Sequence, residues 1–72
     1  MKDTIEEMED YFWFCGAFRG RVHSINVSTK TRKQWLIDNP RNMVTVNCGQ
    51  VLEIVWKNLG GGVWQATVEI PE

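Results

Sequence analysis

At 72 residues and 8.4 kDa the chain has room for one domain, which excludes a kinase, a barrel enzyme, or a dinucleotide fold with a substrate domain. Hydrophobic residues make up 43% of it, with four Trp, three Phe and one Tyr, and this excludes an intrinsically disordered chain. The net charge of −1 selects no class of partner, but the charges are segregated: residues 1–10 carry −4, residues 11–37 carry +5 and residues 38–72 carry −2.

Residues 4–10 read as a short acidic helix. Thr4 caps it, Glu7 stands at the reciprocal position of a capping box, and the acids of the first turn suit the helix dipole. Ile5, Met8 and Phe12 form its apolar stripe. Residues 11–18, Tyr-Phe-Trp-Phe-Cys-Gly-Ala-Phe, read as a strand, because aromatics favour strands and Gly16 weakens a helix. Both of its faces are apolar, so it needs cover on two sides or a partner. Arg19 to Arg21 is a bend or a continuation. In the strand from Val22 to Ser28, His23, Ile25 and Val27 alternate with polar residues, as in an antiparallel strand with one wet face.

A second helix runs from Thr29 to Asn39, with Thr31 and Gln34 as a capping box or with an earlier start at Ser28 or Thr29. Trp35 and Leu36 dock it on the sheet, and Pro40 ends it. Three strands follow: Met43 to Cys48, Val51 to Lys57 and Val63 to Ile70. A turn at 47–50 joins the first two, and a loose hairpin through Gly60, Gly61 and Gly62 joins the last two. Pro71 stops the ladder. The pattern predicts a single α+β domain over residues 1–72: a small antiparallel sheet of four to five strands with one or two short helices packed on it. A small SH3-like barrel is the alternative.

The chemistry-bearing residues are few. His23 is the one histidine and has arginines rather than carboxylates near it in sequence; a thiol nucleophile built from Cys15 or Cys48 with His23 is conceivable but not required by the spacing. There is no Cys-x-x-Cys and no histidine pair, so neither a metal nor a cofactor is expected. The acidic start and the lack of a long apolar run point to a cytoplasmic protein with reduced cysteines and no membrane segment. Trp56 and Trp64 fall on the inward parity of paired strands, as a cross-strand or diagonal aromatic pair.

The surface singled out for partner binding is the basic stretch with its aromatics: Trp13, Arg19, Arg21, Lys30, Arg32, Lys33 and Trp35. Trp13 with Arg19 or Arg21 is the favoured cluster, since aromatic and arginine anchors dominate protein interfaces. The expected function is a non-enzymatic protein–protein interaction module, a small regulator, inhibitor or accessory subunit, with homodimerisation a way to shelter spare aromatic surface. The alternative is a small nucleic-acid-binding domain using residues 19–33, if the two ends of that stretch come together.

Overall fold

The computed structural model describes residues 3–72. Its elements in chain order are α1 (Ile5–Cys15), β1 (Arg21–Ser28), α2 (Thr29–Asp38), β2 (Met43–Thr45), β3 (Val51–Glu53), β4 (Val55–Gly60) and β5 (Val63–Ile70). They form an α+β domain with two antiparallel sheets, a three-stranded one in the order β1-β5-β4 and a two-stranded one, β2-β3. The accessible surface of 4651 Å² is what mass scaling gives for a folded monomer of this size.

The first helix follows its stripe further than expected. Thr4 caps it by accepting from the Glu7 N–H at 3.1 Å, and Met8, Phe12 and Cys15 are all buried. The strand expected for residues 11–18 does not form: helix continues to Cys15, and a turn follows. Packing overrides aromatic β-propensity here, because the i, i+4, i+7 positions face the core while Trp13 and Phe14 face water. Gly16 does not break this helix but ends it against β2. A Cβ there would lie 2.7 Å from the Asn47 nitrogen and 2.9 Å from the Val46 Cβ, so only glycine allows the approach.

β1 matches expectation within a residue. The central position of the three-stranded sheet is taken by β5, whose inward residues Ala66, Val68 and Ile70 are buried in one core with Ile25 and Val27. α2 starts directly at the end of β1. Ser28 is its cap, accepting from the Thr31 N–H at 3.2 Å, so the earlier start holds and the Thr31–Gln34 box does not form. Thr31 instead points its hydroxyl at Asp3, donating to the carboxylate at 2.8 Å, while the Ser28 N–H donates to the same oxygen at 3.0 Å. This clamps the start of α1 to the β1–α2 junction.

The largest departure lies between residues 43 and 57. The first strand stops at Thr45, and the strand expected over 51–57 divides at Ile54. Asn42 causes the division. Its backbone carbonyl accepts from the Ile54 N–H at 3.0 Å, its side-chain amide donates to the Ile54 carbonyl, and its Oδ1 accepts from the Trp56 indole N–H at 2.8 Å. Ile54 is buried and spends its backbone bonds on Asn42 rather than on a neighbouring strand, so the one sheet expected becomes two. Asn42 has a φ of +57°, a conformation asparagine tolerates better than other side chains.

Candidate interaction surface

α1 runs antiparallel along the outer edge of β1. Three contacts fix the alignment: Asp3 at Ser28, the Tyr11 hydroxyl donating to the Ser24 carbonyl at 2.8 Å, and the His23 Nε2 donating to the Phe18 carbonyl at 3.3 Å. The Thr29 N–H donates to the Gly62 carbonyl one step beyond the β1–β5 register. Odd-numbered residues of β1 therefore bond to β5, and even-numbered ones turn their backbone groups to the open edge. Ser24 and Ser28 are two of these; Tyr11 of α1 occupies the first and Asp3, just before α1, the second.

Where the end of α1 diverges from the start of β1, an open cleft of about 580 Å³ remains. Glu7, Asp10, Tyr11, Phe14, Cys15 and Phe18 line it from the helix and turn, and Arg21 and His23 from the strand. Phe14 is 67% exposed and Phe18 55% exposed, so both rings rim the cleft rather than fill the core. Because the helix and strand are antiparallel, the acids lie toward the middle of α1 and Arg21 lies at the other end. The aromatic rings stand between them.

The cleft also brings Cys15 and His23 to one place, the juxtaposition that sequence spacing left open. Burial pushes the Cys15 thiol above its ordinary value, against a smaller opposing effect of its hydrogen bond with Tyr11. It therefore stays protonated at neutral pH and is not primed as a nucleophile. The Tyr11 hydroxyl is pushed up as well, first by burial and then by Cys15. Among the described residues, no group of three or more His, Cys, Asp and Glu side chains is placed to hold a metal.

The residues singled out from sequence are dispersed. Arg19 and Arg21 are exposed at the start of β1, and Lys30, Arg32 and Lys33 lie beyond its far end. Eight strand residues span roughly 23 Å, so the two basic groups do not merge into one patch. Trp13 is 47% exposed but lies on the opposite flank of α1 from Phe14, beside Glu9, Asn39 and Met43. The aromatics next to Arg21 are thus Phe14 and Phe18. Trp35 is 1% exposed, its ring edge-on to Trp56 at 6.1 Å, and it is a core residue that offers no docking surface.

Arg32 belongs to a stack. Its guanidinium lies 3.9 Å from the Trp64 ring centroid and 5.3 Å from that of Trp56. The pairing of Trp56 with Ala66 and of Asn58 with Trp64 puts the two indoles diagonally on the same face, as the strand parity predicts. The unexpected part is that a cation lies over both. The Arg32 Nε is buried without a hydrogen-bond partner among the described residues, so the rings are its principal neighbours.

Phe14 and Phe18 were missed as surface residues because a strand over 11–18 is apolar on both faces and does not say which face stays open, and Trp13 was favoured instead. The signal was present: continuing the Ile5, Met8, Phe12 stripe by one step reaches Cys15 and leaves Phe14 on the opposite side.

The chain matches no protein-family model, no curated protein and no solved structure.

Proposed function

We propose that this protein is a non-enzymatic interaction module that acts by docking the end of α1 and the start of β1 on a protein partner. The observation that carries the reading is the placement of Phe14 and Phe18, both more than half exposed, beside Arg19 and Arg21. Two phenyl rings in water next to arginines form an anchor composition for a protein interface, with apolar area to desolvate and cations to orient the approach. A small regulator, inhibitor or accessory subunit working by occlusion or scaffolding fits a domain of this size. Among the described residues no helix is long and apolar enough to cross a membrane.

The test compares the protein with a Phe14→Ser, Phe18→Ser variant and with an outer-face control, Val55→Ser, each used as bait. The expected result is a partner retained by the protein and the control, lost by the double variant, and forming a stoichiometric complex when both components are purified. Equal retention by all three baits overturns the reading. A nucleic-acid role has less support, because its cations divide between the two ends of β1 and the Arg32 guanidinium already lies on two indoles. It predicts a low-salt shift with DNA or RNA that Lys30→Glu with Lys33→Glu abolishes.

A further inference from the structure

We infer that the partner seated on the α1–β1 cleft is a second copy of this chain, in a two-fold dimer. This names an occupant for the surface proposed above and rests on that reading.

The order of charges along the cleft is self-complementary. A closed two-fold interface needs a patch that complements itself when turned end over end. The antiparallel run of α1 and β1 sets Asp10 toward one end of this cleft, Phe14 and Phe18 between, and Arg21 toward the other, where the Glu72 side chain lies beside Gly20; Asp10, Phe14, Phe18 and Arg21 are all exposed. Turned about an axis through the aromatic middle, a second copy sets its Arg21 against Asp10 of the first and its Asp10 against Arg21 of the first. The phenyl rings then meet in the centre, and the cleft, at about 580 Å³, has room to admit a ring from the mate. A foreign partner would have to supply this pattern, whereas a second copy carries it already.

Tyr11 and Asp3 occupy the edge of β1 at Ser24 and Ser28, so most of that edge is not offered to a second copy and the contact falls on the side chains of the cleft. A standard interface covers about 800 Å² on each partner, about a sixth of the 4651 Å² surface of this chain. A contact confined to the cleft and its rim is small, and monomer and dimer should exchange across the micromolar range.

Sedimentation equilibrium on the purified full chain, from about 5 µM to about 500 µM, tests this. The expected result is a mass rising from 8.4 kDa toward twice that value. Phe14→Ser with Phe18→Ser should weaken association by about tenfold or more. Two charge variants give the decisive measurement. Asp10→Arg alone and Arg21→Glu alone each set like charges against each other in their own dimers, and each should be monomeric. Mixed one to one, they restore both contacts, so the mixture should dimerise while neither component does. Circular dichroism of each variant establishes that it is folded.

A monomer at every concentration overturns the inference, as does a dimer that all the substitutions leave unchanged, or a mixture that stays monomeric. None of these results alone decides the docking reading itself: it survives a monomeric chain if the protein retains a foreign partner that the Phe14, Phe18 variant loses, and it falls if that variant changes neither self-association nor retention.

Discussion

Asn42 joins two sheets with a single side chain. Replacing it by Ala removes both side-chain bonds, leaves the Trp56 indole N–H without its acceptor, and puts a residue with no local stabilisation at a φ of +57°. At about 1 kcal/mol for each hydrogen bond and about 1 kcal/mol for the left-handed backbone, the cost should be about 3 kcal/mol. Asn42→Gly keeps the conformation but not the bonds, so it should recover about 1 kcal/mol of that loss; urea midpoints of the two variants separate the contributions. Asp3 acts by charge. The Ser28 side chain and N–H, with Thr31, hold its carboxyl below the ordinary value. A depressed folded pKa means that its stabilisation is present above the unfolded value of about 3.9 and is lost as pH falls through the folded one. The melting-temperature gap between the protein and Asp3→Ala should therefore be constant near neutrality and close under acid. A gap that widens toward low pH would contradict the assignment.

The hairpin of β4 and β5 and helix α2 meet at Arg32. Arg32→Ala should cost about 1 kcal/mol and shift the tryptophan emission, since both indoles lose the cation at their faces. Arg32→Met keeps the aliphatic contact and removes the unpartnered Nε, so its cost in thermal unfolding should be smaller than that of the Ala variant. At the other end of the molecule, Gly16→Val drives a branched side chain into Asn47 and Val46 and should cost about 2 kcal/mol or more. These elements differ in how far their sequences announced them. β5 was fully legible, because Trp64, Ala66, Val68 and Ile70 alternate and Pro71 ends the run. β1 and α2 were legible from alternation and from the Ser28 and Pro40 boundaries. The aromatic run was not, since its propensity favours a strand while the stripe through Met8 and Phe12 continues the helix, and only the core decides between them. The break at Ile54 was invisible, because a side chain twelve residues away makes it. The dispersal of the basic residues was within reach, as an eight-residue strand already holds Arg21 and Lys30 apart.

Among the described residues there is one buried cluster, to which both helices and both sheets contribute. Phe12, fully buried in it, and Phe14, two residues on and 67% exposed, are its clearest contrast. Phe12→Ala should cost about 3–5 kcal/mol, enough to unfold much of so small a domain. Phe14→Ser should leave the dilute monomer within about 0.5 kcal/mol of the original, as measured by urea unfolding at low concentration. The candidate surface is thus separable from the fold. The position of α1 has another consequence. A strand at the rim of a sheet is a template on which other chains can assemble, and proteins commonly shield it. In this molecule the shield is a helix whose contacts with β1 include Asp3 and Tyr11, and the Asp3 contact weakens when its carboxylate is protonated. Freeing α1 would uncover β1 and the apolar stripe of the helix together, and because Met8, Phe12 and Cys15 belong to the core it would take much of the fold with it, so fibril growth should set in together with acid unfolding rather than ahead of it.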